Sequence, residues 1–131
     1  MQLRNSLYTV VEKEVEGMGG RFVVSLCPSC FIYQAHFPGQ PITPGVCLVQ
    51  MGVELLEQLL EENLGRRVGL EMTRVKNVKF LSVVSPLATP RVEYQMKKVE
   101  TTEENGVRAQ IVVAAEGETK AKISLVLRMI S

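Results

Sequence analysis

The chain has 131 residues, 46% apolar and 22% charged, which suits one hydrophobic core over positions 1–131 and excludes a disordered chain or two independent domains. Fifteen basic against fourteen acidic residues leave a net charge of +1, which excludes attachment to nucleic acid or anionic lipid mainly by charge. Three cysteines cannot all pair within one chain, no signal-like apolar region opens the sequence, and the run from Val46 to Val53 is broken by Gln50, so a reducing cytoplasmic location without a membrane span is expected.

Leu7 to Val15 and Arg21 to Leu26 are rich in β-branched residues and flank Gly17, Gly19 and Gly20, which predicts an antiparallel hairpin. The next stretch holds Pro28, Pro38, Pro41 and Pro44 and is expected to be non-regular. A helix is then marked at both ends: Thr43 can cap, Pro44 suits the first helical position, and Gly65 suits a left-handed C-terminus. From Val46 to Leu56 apolar residues surround the axis, so the helix should be enclosed by protein. Its polar exceptions, Gln50, Glu54, Glu57, Gln58 and Glu61, share one stripe.

Period-2 alternation returns over 91–97, 107–115 and 121–129, with Asn105-Gly106 and Glu116-Gly117 placed to turn the chain. The order β-β-α-β-β-β-β predicts an α+β fold in which a curved antiparallel sheet wraps one long helix. Such a sheet leaves edges to protect, so at least a dimer is expected.

His36 is the only histidine, and it lies in His36-Phe37-Pro38-Gly39-Gln40-Pro41-Ile42-Thr43-Pro44-Gly45, a Pro/Gly-clamped loop entering the helix. A base beside unpaired helix N–H groups suits proton abstraction next to a carbonyl, because the first amides can receive the developing negative charge. Cys27-Pro28-Ser29-Cys30 has redox or zinc spacing, but only Cys47 and His36 remain as further soft ligands. Small buried cysteines without a metal are the expected reading.

At His36 to Gly45 the sequence resembles the 3-hydroxyacyl-(acyl-carrier-protein) dehydratases of type II fatty-acid synthesis, whose signature reads H-F-P-G-x-P-x-x-P-G before a helix. Phe31-Ile32-Tyr33-Gln34 is similar to the aromatic strand before that family's histidine, and Val78-Lys79-Phe80 to the strand after its helix. The resemblance implies the hot-dog fold and an enzyme that dehydrates 3-hydroxyacyl thioesters to trans-2-enoyl thioesters. No metal or organic cofactor would be needed. His36 would abstract the C2 proton and the Gly45 amide would polarise the thioester carbonyl, with Phe37, Pro44, Gly45 and Val46 against substrate.

The family's acid, fourteen positions after the histidine, is here Gln50, while Glu54 stands where the family has Gln. The two share a helix face, so Glu54 is expected to serve as general acid in the same site; the alternative is a solvated stripe with Glu57 and Glu61. The strand after the helix also runs into Ser85-Pro86-Leu87 in place of the family's Pro-Gly-Asp turn. Arg66, Arg67, Arg74, Lys76 and Lys79 outnumber the single acid Glu71, and Arg66 and Arg67 are expected to dock an acidic acyl carrier protein. A homodimer, dimer of dimers or trimer of dimers is implied. Two alternatives stay open: a hot-dog acyl thioesterase, with Glu54 activating water, and a degenerate subunit that completes another chain's site.

Overall fold

The computed structural model describes residues 2–35 and 39–130. In chain order it contains β1 (Tyr8–Glu16), β2 (Gly19–Leu26), α1 (Phe31–Ala35), α2 (Gly45–Leu64), β3 (Leu70–Phe80), β4 (Arg91–Thr101), β5 (Gly106–Ala115) and β6 (Glu118–Met129). The strands form one six-stranded sheet in the order β1-β2-β4-β5-β6-β3, with every pairing antiparallel.

The inward residues of each strand meet the apolar sides of α2. Phe22, Val24, Tyr94, Ile111, Val113 and Ile123 from the sheet share one core with Leu48, Met51, Leu55, Leu56, Leu59 and Leu60. Each such side chain contributes about 1.5–3 kcal/mol by leaving water. This is the helix wrapped by an antiparallel sheet that the periodicities predict, and the hot-dog fold that the resemblance implies. The first turn of α2 is tied to the sheet where Tyr94 donates its hydroxyl to the Leu48 carbonyl at 2.7 Å.

The C-terminus of α2 matches expectation: Gly65 adopts φ 67 and ψ 26 and its N–H donates to the Glu61 carbonyl at 2.9 Å. The N-terminus differs. Pro44 itself occupies the cap position, its carbonyl receives the N–H groups of Cys47 and Leu48, and no side chain caps the turn. Thr43 is engaged elsewhere, its hydroxyl 2.8 Å from that of Tyr33.

Phe31 to Ala35 also departs from the expected loop and from the strand that the resemblance implies. The Cys30 N–H donates to the Cys27 carbonyl and the Tyr33 N–H to the Cys30 carbonyl, which winds the chain into a helical turn. Phe31 is 74% exposed while its neighbours Ile32 and Tyr33 are both buried, a pattern that strand alternation cannot produce.

Glu116 and Gly117, at φ 53 and 74, turn β5 into β6 as predicted. The β4–β5 turn sits one residue earlier than expected, with Glu104 and Asn105 at φ 60 and 63 and Gly106 already extended. A Cβ at Gly106 would meet the Thr102 hydroxyl, which would have to turn aside.

β3 is an outermost strand and nearly all of it is exposed, including Met72, Val75 and Phe80. Two register shifts against β6 interrupt its pairing. An apolar open edge of this kind is a template for another strand.

Candidate active site

Gly45 begins α2, so the N–H groups of Gly45 and Val46 belong to the set that helix geometry leaves without an i−4 carbonyl. The Phe80 ring, brought there by the end of β3, rests on Gly45: a Cβ at position 45 would stand 2.6 Å from Cζ of that ring. A side chain at position 45 would therefore displace the ring. The two residues border a mainly apolar cavity of about 450 Å³, whose walls include Ile42, Pro44, Leu48, Leu81 and Val84. Thr43 and Ser82 are its polar side chains, and the Thr43 N–H donates to the Val84 carbonyl across its base at 2.7 Å.

Of the residues predicted to hold substrate, Pro44 and Gly45 border this cavity, whereas the Val46 side chain is 70% exposed and only its backbone faces the helix end. His36 and Phe37 lie outside the described residues.

Glu54 is 5% exposed and accepts four hydrogen bonds. Its Oε1 receives the Arg4 N–H and the Tyr8 hydroxyl, and its Oε2 receives the Leu3 N–H and Gln50 Nε2, each at 2.9 Å. Donors face both oxygens, so the carboxyl group fastens the start of the chain and its helix neighbour Gln50 to the middle of α2. Burial and the Glu54 charge push the Tyr8 phenol well above its ordinary range, so it remains a donor.

Along the rest of the polar stripe, Glu57 and Glu61 are also engaged, whereas Gln58 Oε1 is buried without a hydrogen-bond partner among the described residues. Glu57 accepts the Leu70 N–H at 2.8 Å and Glu61 the Val68 N–H at 3.1 Å. Burial, with Glu54 and Glu61 adding like charge, raises the Glu57 carboxyl above its ordinary value despite the Leu70 bond. The stripe is thus a row of clamps that fastens residues 3–8 and the start of β3 to the helix. Glu54 and Glu57 border a second, polar cavity of about 400 Å³ together with Gln2, Arg4 and Arg67.

Arg66 and Arg67 follow the C-terminus of α2, so the length of the 20-residue helix, roughly 30 Å, separates them from Gly45. Arg66 donates to the Arg67 carbonyl at 3.2 Å. Cys30 and Cys47 are buried, Cys27 is half-buried, and all three thiols are free. Burial, followed by the neighbouring Cys30, pushes the Cys47 thiol up. Among the described residues no group of three or more His, Cys, Asp or Glu side chains is arranged to hold a metal, and no helix is long and apolar enough to cross a membrane.

Two features had no local signal. Phe80 reads as an ordinary strand aromatic, and only the tertiary fold places it on Gly45. Lys120 is buried beside the cavity wall, its Nζ 3.4 Å from Ser82 Oγ and 3.3 Å from Glu118 Oε1. The Ser82 hydroxyl and then Lys120 hold the Glu118 carboxyl below its ordinary value.

The profile of the ApeI-like family, described as ApeI dehydratase, matches residues 12–118. A 3-hydroxyacyl-[acyl-carrier-protein] dehydratase FabZ of Acetivibrio thermocellus is 32% identical over 102 residues, covering 75% of this chain and 66% of that protein. The FabZ of Fusobacterium nucleatum is 29% identical over 89 residues, covering 68% of this chain and 61% of its own length. The chain thus spans about two thirds or less of these curated relatives. Among solved structures, the dehydratase heterocomplex ApeI:P from Xenorhabdus doucetiae shares the fold with a TM-score of 0.66 at 17% identity, over 92% of this chain and 97% of that one. The thioesterase yhdA structure from Lactococcus lactis, described as putative, does so at 0.63 and 13%, over 92% and 91%. A likeness to both kinds of enzyme shows the scaffold and leaves the chemistry to the site. By its match over most of its length, the chain belongs to the ApeI-like dehydratase family.

Proposed function

We propose that the protein removes water from 3-hydroxyacyl thioesters, and in the reverse direction hydrates enoyl thioesters. The observation that carries this reading is the helix start at Gly45, opening on an apolar cavity under Phe80 and preceded by the only histidine. The thioester carbonyl accepts the Gly45 N–H, which stabilises the enolate as His36 takes the C2 proton. The C3–O bond then breaks, its electron pair leaves with oxygen, and the C2–C3 double bond forms from the enolate.

The departing hydroxyl needs a proton to leave as water. Gln50 is an amide and Glu54 is met by four donors, so His36 returns the proton that it took. Gln50, held by Glu54, orients the hydroxyl. Two copies pair along the open β3 edge, and the three free thiols fit the reducing cytoplasm.

The test is hydration of a crotonyl thioester, followed by loss of enoyl absorbance and assayed in parallel for free thiol. Wild type should consume enoyl without releasing thiol, and His36→Ala should lose activity by a factor on the order of 10² to 10⁴. Thiol release at constant enoyl absorbance would establish a thioesterase instead. A second reading is supported by Gln50 standing where the related family carries its acid: a subunit whose site is completed by an acid-bearing hot-dog chain. It expects an inactive isolated protein whose activity returns with that partner.

A further inference from the structure

We propose that Tyr33 and Thr43 form a positioning pair, whose hydroxyl–hydroxyl bond fixes the direction in which the Gly45 N–H points at the substrate carbonyl. The proposal rests on the dehydratase reading and names two residues that serve its site through the helix start. Their hydroxyls stand 2.8 Å apart although the residues are ten positions apart in sequence. Tyr33 precedes His36 and Thr43 precedes Gly45, so the bond joins the two ends of the segment that bears the histidine.

The start of α2 has little else upstream to hold it. Pro44 has no N–H to donate, Gly45 has no side chain, and no side chain caps the first turn. The first anchored residue before Gly45 is therefore Thr43, which is gripped twice: its N–H donates to the Val84 carbonyl at 2.7 Å, and its hydroxyl meets Tyr33. Two bonds from different atoms of one residue remove the rotation that either alone would permit. Downstream, the Tyr94 hydroxyl holds the Leu48 carbonyl, at the far end of the same turn. The Phe80 ring covers Gly45 but is 52% exposed, so it shields the helix start without anchoring it.

Burial makes the bond necessary. Tyr33 is 1% exposed and Thr43 3%, and each hydroxyl would be costly there without the other. Burial lifts the Tyr33 phenol to about 12, so the pair stays neutral at the pH where a histidine acts as base. Tyr33 is itself tied down by its N–H, which donates to the Cys30 carbonyl at 3.0 Å. Stability alone does not explain the choice of residues, because replacing both partners of a buried bond by apolar groups of the same shape is nearly neutral. Phe and Val would fill these places. What they lack is direction: a hydrogen bond sets distance and angle together, and an oxyanion donor acts only within about 2.7–3.1 Å of the developing charge. Thr43 borders the cavity and Tyr33 does not, so Tyr33 offers a substrate there no contact of its own.

The test uses the full chain with Tyr33→Phe, Thr43→Val, Thr43→Ser and the double variant Tyr33→Phe/Thr43→Val. Three properties are measured: urea unfolding, kcat and KM for hydration of a crotonyl thioester, and the infrared carbonyl stretch of a bound ketone analogue in which CH2 replaces the thioester sulfur. Tyr33→Phe, Thr43→Val and the double variant should each lower kcat about tenfold, with KM within about twofold, short of the roughly 10²–10³ lost when an oxyanion donor is removed outright. The double variant should lose no more than either single one and should unfold at the wild-type urea midpoint. Thr43→Ser keeps the hydroxyl and should turn over as wild type does. In wild type and Thr43→Ser the carbonyl band should move down on binding, and in the other three variants that shift should shrink. Full turnover in the double variant, loss of turnover only in step with stability, a Thr43→Ser that behaves as Thr43→Val, or one carbonyl band across the series would overturn the proposal. So would a displaced pH profile of kcat, which would place the effect on His36. If wild type hydrates no crotonyl thioester, the dehydratase reading fails, while the carbonyl band still decides whether the pair aims the Gly45 N–H.

Discussion

The hydroxyl of Tyr8 donates to Glu54 Oε1 at 2.9 Å, joining the first strand to the middle of the long helix across 46 positions of sequence. Leu3 and Arg4 donate their N–H groups to the same carboxylate. Tyr8→Phe removes a bond to a charged acceptor and is expected to cost about 1.5–3 kcal/mol in urea unfolding. Glu54→Gln should cost at least as much yet keep turnover within a few-fold of wild type. A loss of 10² or more in kcat at preserved stability would return the general-acid role to Glu54.

Glu57 yields a prediction in pH. Its folded-state pKa is raised above the ordinary 4.5, so in that window the native state holds more proton than the unfolded chain. Its contribution to stability is therefore fully present below about 4.5 and falls as pH rises through the raised value. Glu57→Gln keeps an acceptor for the Leu70 N–H and removes the titration. The variant should be more stable than wild type at neutral pH, and its unfolding free energy should decline less from weak acid to neutrality. Parallel curves for the two proteins would contradict the shift.

Gly45→Ala forces the Phe80 ring to move, since the new Cβ meets Cζ at 2.6 Å. The ring is 52% exposed and can swing away, so the expected stability loss is modest, about 1 kcal/mol, while KM for the thioester rises. In a Phe80→Ala background the same substitution should be nearly neutral. A double-mutant cycle measures this coupling, and additivity within about 0.5 kcal/mol would mean that the contact carries no energy.

The open β3 edge predicts the behaviour of Val75→Lys. A charge amid the exposed apolar positions of that edge should shift a dimer toward monomer at micromolar concentration, as read by sedimentation velocity, with the secondary-structure spectrum intact. Unchanged sedimentation would place the subunit contact elsewhere.

The parts of the fold legible in sequence are those set by neighbours along the chain. Pro44 and Gly65 bound the helix because their own backbone preferences stop it, and Glu116-Gly117 turns because both residues tolerate positive φ. The helical turn at Phe31 was hidden by apolar residues that fit a strand equally well, and was decided by backbone bonds to Cys27 and Cys30. Thr43 is a good cap in isolation, but Tyr33 claims its hydroxyl. In the site, the motif from His36 to Gly45 was visible as spacing. The task of Glu54 was not, because its donors at Leu3, Arg4 and Tyr8 lie about fifty residues away and nothing local marks them.

The fit of an aromatic ring against a bare backbone carbon ties two distant positions into one unit of descent. Gly45 is tolerated by the helix only at a cost in backbone freedom, and what holds it there is the bulk arriving at position 80. Lineages that shrink residue 80 accept alanine at the helix start freely, whereas those that retain the ring must shift it to do so. The two sites should therefore tend to vary together across descendants of this fold.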